Sequence, residues 1–129
     1  SAPRIRYIMN KVLKDKRDFK SKIVNEYLQK ISINSSKDIV VWGAGDTGRL
    51  IAKNNFFIKN KKLNIKYYVD KYLHSKDIKV QNKDIKSPET LLNNEYNILI
   101  ASSAYYEEIY TEIISKNIPT SRILDQIYS

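Results

Sequence analysis

Ile39-Val40-Val41-Trp42-Gly43-Ala44-Gly45-Asp46-Thr47-Gly48-Arg49 decides the fold of this chain. Four apolar residues suited to a buried strand run directly into a complete G-x-G-x-x-G, and a helical pattern follows from Asp46 to about Asn55. The glycine pattern alone is weak; its place between a strand and a helix gives it meaning. In that setting Gly43 permits a tight turn. Gly45 lets backbone N–H groups, those of Ala44, Asp46 and Thr47 among them, approach a diphosphate at the positive end of the helix, and Gly48 lets the helix lie close to its strand. These are the only three glycines in 129 residues, so the backbone freedom of the chain is concentrated in six positions. The alternative is a strand-to-helix turn kept for packing that binds nothing.

Downstream, strand and helix patterns alternate. Asn64 to Asp70 reads as a second strand and Ile78 to Val80 as a short third. Ser87-Pro88-Glu89 has the residues of a helix start, with Leu91 and Leu92 as the apolar face behind it. Asn97 to Ala101 is a continuous apolar run of buried-strand type. A helix from about Ala104 to Lys116 follows, with Ile109, Ile113 and Ile114 inward, and Asn117-Ile118-Pro119 stops it. Ile123-Leu124 makes a last strand. The expectation is an α/β fold, an open and mostly parallel sheet of four or five strands with helices on both faces.

With strand order 3-2-1-4-5, two further places meet the glycine turn. Asp70 ends the second strand 27 residues after Gly43, somewhat beyond the usual spacing of about 20 for an acid that holds a ribose diol. The Lys- and Asn-rich connection from Asn54 to Asn64 absorbs the difference. A carboxylate there disfavours a 2′-phosphate, so NAD or the ribose of a UDP-sugar is expected before NADP, an argument that Lys71 weakens. Ser102 and Ser103 lie at the end of the central strand that faces the glycine turn, as ligand contacts or as helix caps, and Arg49 is placed to reach a phosphate or face water.

Upstream, residues 1–36 form a basic segment in which Ile5, Ile8, Val12, Phe19, Ile23, Tyr27 and Ile31 recur at helical spacing. It is expected to pack on the domain at 37–129 or on a partner, including a second copy of the chain. The net charge is +9, from 23 Lys and Arg against 14 Asp and Glu. Residues 1–34 hold nine of those cations and three of the acids, so the remainder is nearly balanced. With no aromatic RNA-binding motif and no finger spacing, the sequence points away from nucleic acid.

Composition removes much chemistry. There is no cysteine and one histidine, His74, which excludes thiolate metal sites, a cysteine nucleophile and most imidazole sites. No apolar run is long enough for a membrane span. Tyr67–Lys71 and Tyr72–Lys76 match the Tyr-x-x-x-Lys of short-chain dehydrogenases, but both fall on or after the second strand, where residues four apart do not share a helix face. Val41 stands where a methyltransferase carries an acid, Arg49-Leu50 replaces a P-loop Lys, and there is no Asp-x-Asp. No catalytic or metal-ligating residue is expected.

Val41 to Arg49, Tyr68-Val69-Asp70, Ser87-Pro88-Glu89 and Ile98 to Ser102 together resemble the Rossmann-like nucleotide-binding domains attached to bacterial cell-surface polysaccharide enzymes, over about Lys37 to Ile127. Such domains accompany nucleotide-sugar acetyltransferases, dehydratases and sugar methyltransferases. The resemblance implies a nucleotide sugar or dinucleotide bound by the glycine turn and Asp70, with the chemistry in another domain. The resulting expectation is a non-catalytic binding module for NAD or a UDP-sugar, part of a larger cytoplasmic protein of surface-glycan assembly. An NAD-dependent epimerase, dehydratase or oxidoreductase fragment, and an oligomerisation domain with an empty glycine turn, are the alternatives.

Overall fold

A computed structural model of the chain describes residues 8, 11, 21–30, 37–54, 63–102 and 104–124. The expectations for the rest of the N-terminal segment and for Ser103 lie outside them. The elements are helix α1 (residues 21–30), β1 (Lys37–Trp42), α2 (Asp46–Ala52), β2 (Leu63–Val69), β3 (Lys79–Val80), β4 (Lys83–Lys86), β5 (Asn97–Ile100) and α3 (Tyr106–Ser115), with 3-10 turns at Pro88–Asn93 and Thr120–Arg122.

The sheet order is β3-β4-β2-β1-β5. β4, β2, β1 and β5 are mutually parallel where they pair, and Ile123 adds an isolated parallel bridge to Ile98 beyond β5. Taken along the parallel set, this is the expected 3-2-1-4 order with a vestigial fifth member. The third strand corrects the sequence reading. β4 is the parallel neighbour of β2, and Lys79–Val80 is only its antiparallel hairpin partner. Gln81 and Asn82, both at positive φ (49° and 65°), close that hairpin as a two-residue type I′ turn. β4 buries only Ile85, which is why it gives no hydrophobic run.

Alternation in β1 sends Ile39 and Val41 to one face and Val40 and Trp42 to the other. β2 changes phase midway. Ile39 pairs with Ile65 and Val40 with Tyr67, so Lys66 is an extra residue, a bulge that turns Tyr68 to the face of Ile65 and Tyr67 with Val69 to the opposite one. Two cores result. α1 (Val24, Tyr27, Leu28) and α2 (Ile51, Ala52) cover one face; Leu91, α3 (Ile109, Ile113) and Ile118 cover the other. The expected helices on both faces are therefore present.

Two apolar expectations fail for geometric reasons. The segment after Ser87 is a 3-10 turn, and its tight winding buries Leu91 but leaves Leu92 exposed. On α3, Ile109 and Ile113 stand one turn apart and define the buried stripe, which puts Ile114, a further 100° round, in solvent. The stop at Asn117 follows the Schellman pattern: Asn117 sits at φ 59°, its N–H donates to Ile114 O, and Ile118 N–H donates to Ile113 O.

Candidate functional site

The glycine turn hangs between the two neighbours of β1. Gly43 N–H donates to Val69 O (2.8 Å) and Ala101 N–H donates to Trp42 O (2.9 Å), so the backbone leaves the sheet tied on both sides. The three glycines then differ in what they do. Gly43 has φ 121°, which a side chain rarely tolerates, and an added Cβ would meet Ala101 O at 3.1 Å. A Cβ on Gly48 would lie 2.1 Å from Gly43 O, because α2 crosses directly over the turn. A Cβ on Gly45 meets no atom within 4 Å. Gly43 and Gly48 are thus required by the fold itself, whereas at Gly45 the protein leaves space that it does not use.

That space opens into a cleft of about 540 Å³ at the carboxyl ends of β2, β1 and β5. Its floor is Trp42, Gly43, Gly45, Asp46 and Thr47. Asp70, Lys71 and Tyr72 follow β2 on one side; Ala101, Ser102, Ala104, Tyr105, Glu108, Ile109 and Glu112 follow β5 on the other. The volume falls within the roughly 300–1,000 Å³ of small-molecule sites. Gly45 is the N-cap of α2, with no side-chain cap, and the first intrahelical bond is Arg49 N–H to Gly45 O (3.0 Å). The amides of the first turn therefore precede the helical ladder.

Asp70 is the joint of the site. One carboxylate oxygen accepts from Ala44 N–H (3.2 Å), and the other accepts from Tyr72 and Leu73 N–H (2.9 Å each). The carboxylate thus pins the loop after β2 to the glycine turn. About four lone-pair positions are available on a carboxylate, so roughly one remains for a ligand hydroxyl. His74 is exposed and rests on the backbone of the same residue, its Nδ1 2.9 Å from Asp70 O. Arg49 Nε donates back to Ala44 O at 3.4 Å. Ser102 Oγ accepts from Tyr105 N–H at 3.1 Å, a local turn bond at the entry to α3.

Of the residues singled out in the sequence, Gly43, Gly45, Asp46, Thr47, Asp70 and Ser102 meet in this cleft. Ala44 is buried behind it, and Gly48 lies on the inner face of α2, against the turn. Sequence reasoning missed Tyr72, Tyr105 and Glu112 as lining residues. The signal that would have found them is position: they lie in the loop leaving β2 and along the helix leaving β5, on either side of the turn. Charge in the cleft is mostly negative, with Asp46, Asp70, Glu108 and Glu112 against Lys71, whose Nζ is 4.0 Å from Glu112 Oε1. The Tyr-x-x-x-Lys matches do not form a catalytic pair. Tyr67 is buried in the second core with its hydroxyl accepting from Asn94 Nδ2, and Tyr72 is in the loop. Among the described residues no group of three or more His, Cys, Asp or Glu is placed to hold a metal ion, and no helix is long and apolar enough to cross a membrane.

Two solved structures share this architecture. The crystal structure of RSP, a Rex-family repressor, superposes with a TM-score of 0.53 at 16% identity, covering 73% of this chain and 47% of that one. RSP in complex with beta-NADH gives 0.52 at 16% identity, covering 73% and 48%. The chain spans about half the length of these structures, and at that identity the likeness shows the fold, a Rossmann-like α/β domain. No curated protein matches the sequence. One family description does, over residues 34–124, from the segment before β1 to the end of the Ile123 bridge. The match takes in the glycine turn, Asp70 and both walls of the cleft, and the chain belongs to the C2185-like, N-terminal family.

Proposed function

We propose that this chain is a dinucleotide-binding module that holds NAD or NADH in the cleft over Gly43–Gly48. The observation that carries the reading is Gly45. A glycine whose Cβ would touch nothing is not needed for packing, yet it stands on the floor of the cleft at the uncapped start of α2, where a diphosphate gains from backbone N–H groups. Support comes from the shared fold with RSP, which has been solved with beta-NADH. In this reading Asp46 presents the first helical amide, Asp70 takes one ribose hydroxyl, and Ser102 borders the ligand on the β5 side. Bound dinucleotide would supply a hydride donor or acceptor. The residues of this chain bind and orient it, and the reaction, where there is one, belongs elsewhere.

The surface-glycan setting implied by the resemblance gains no support from the family match or the solved structures, and a UDP-sugar becomes an outcome of the test. That test is a thermal-shift panel of NAD, NADH, NADP, UDP-sugars and GDP-sugars on the parent chain and on Gly45→Val. Ligand at 100 times its Kd stabilises by about 2.7 kcal/mol, worth roughly 8 to 13 °C for a chain of this size. A shift with NAD or NADH that disappears in the folded variant supports the module. A shift with UDP-sugars alone replaces the ligand, and no shift with any of them removes the reading.

A further inference from the structure

The walls of the cleft carry a second kind of information, resting on the reading just proposed and narrowing it to one class of base. Tyr72 and Tyr105 are among the most exposed large apolar side chains described, at 72% and 63%, and both line the cleft. They come from opposite sides: Tyr72 follows β2, Tyr105 follows β5, and those strands flank β1. Two strand spacings separate the walls by about 9.5 Å at the sheet. A flat ring held between two others at van der Waals contact needs their planes about 7 Å apart, a span of the same order as the separation of the walls.

Glu108 and Glu112 stand one turn apart on α3, on the wall that bears Tyr105. Lys71 lies against Glu112, and Glu108 has no ion pair among the described residues. An ionised carboxylate only accepts hydrogen bonds. It therefore favours a donor-rich base edge, the amino group of adenine or the N1–H and amino group of guanine, over uracil, whose single N3–H lies between two carbonyls that a carboxylate repels. The geometry points to a purine clamp: Tyr72 and Tyr105 hold the base of a purine nucleoside diphosphate and Glu108 reads its amino group, so that uridine nucleotides are rejected.

The test is calorimetric titration of the whole chain with ADP, GDP, UDP and NAD, repeated on Tyr72→Ala, Tyr105→Ala and Glu108→Gln. All three side chains are exposed, so the variants keep the fold, which their unliganded melting temperatures verify. The clamp predicts that ADP or GDP binds at least about tenfold more tightly than UDP, the ratio of the two naming the purine. Loss of either tyrosine weakens that purine about tenfold, in line with the usual worth of base–aromatic stacking. Glu108→Gln, whose amide can donate to a uracil carbonyl, brings UDP to within about threefold of the purine. UDP binding as tightly as ADP and GDP, with the tyrosine variants unchanged, overturns the clamp; if NAD still binds and Gly45→Val still abolishes it, the dinucleotide reading stands alone. No binding of any of the four overturns both.

Discussion

Replacing Gly48 by Ala tests the packing that builds the site. The new Cβ would lie 2.1 Å from Gly43 O and 3.1 Å from Gly43 C, both backbone atoms of a turn already tied to β2 and β5. Neither side can swing away as a side chain would, so α2 must lift by about 1 Å. A gap of that size forfeits a quarter to a half of each contact it opens. Ile51 is fully buried and Ala52 nearly so, and full burial of an Ile is worth about 1.5 to 3 kcal/mol. Loosening the inner face of α2 therefore costs about 1 to 2 kcal/mol, and residual overlap in a close-packed turn adds about 1 to 3. Against this, Ala in a helix gains about 1 kcal/mol over Gly. The net expectation is a loss of about 1 to 4 kcal/mol, a fall in Tm of roughly 3 to 20 °C. Urea unfolding followed by Trp42, the only tryptophan, measures it. Gly45→Ala is the internal control and should stay within about 1 kcal/mol, since its Cβ meets nothing. A Gly48→Ala chain as stable as the parent would show that α2 does not press on the turn.

Other expectations follow from the same structure. Arg122 donates to Tyr96 O, Leu91 O and Asn94 Oδ1, tying the 3-10 turn after Ser87 to the start of β5, while burial pulls its guanidinium below the ordinary value; Arg122→Ala should cost about 2 to 3 kcal/mol in urea unfolding, and Arg122→Lys should restore only part of it. Glu89 hydrogen-bonds Lys116 and Ser87, which holds its carboxyl at about 2, below the ordinary 4.5. Because the folded value is the lower one, the pair's contribution is complete above about pH 4.5 and fades as pH falls toward 2; Lys116→Met should flatten stability against pH in that window. If Asp70 borders the ribose, NADP should bind at least about tenfold more weakly than NAD, and Asp70→Asn should narrow the gap in direct titration.

Much of this architecture is legible in the sequence. Ile39 to Gly48 announces a strand, a turn and a helix because burial on both faces writes a continuous apolar run, and close backbone approach admits only glycine. Ile98-Leu99-Ile100 is legible for the first of these reasons. What the sequence conceals is set by partners rather than by local pattern. Lys66 looks like any exposed strand residue, and only its register against Ile39 and Val40 reveals the bulge that rephases β2. β4 is an edge-side strand with one buried residue, so its pairing to β2 leaves no periodic trace. In the site, the glycines and Asp70 were readable by type and spacing. The use of Asp70 as a clasp for Ala44, Tyr72 and Leu73 was not, because it depends on a turn 26 residues away in the chain. The pattern also assigned close packing to Gly48 and open backbone to Gly45, and the crossing of α2 over the turn supplies the physical difference, a Cβ clash at the first and clearance at the second.

If the clearance at Gly45 serves a dinucleotide, NADH binds beside Trp42. Trp42 lies 2% exposed on the floor of the same cleft, and reduced nicotinamide absorbs where tryptophan emits, so energy transfer from Trp42 reports NADH bound there. Titration of NADH into the parent chain and into Gly45→Val, with the fold of the variant verified by its unliganded melting temperature, reads the claim directly. The account predicts saturable quenching of Trp42 with sensitised NADH emission in the parent, and its loss in the variant. Equal transfer in both would place the ligand away from the glycine turn, and no transfer in either, with no shift in stability, would leave Gly43–Gly48 as a turn that serves the fold alone.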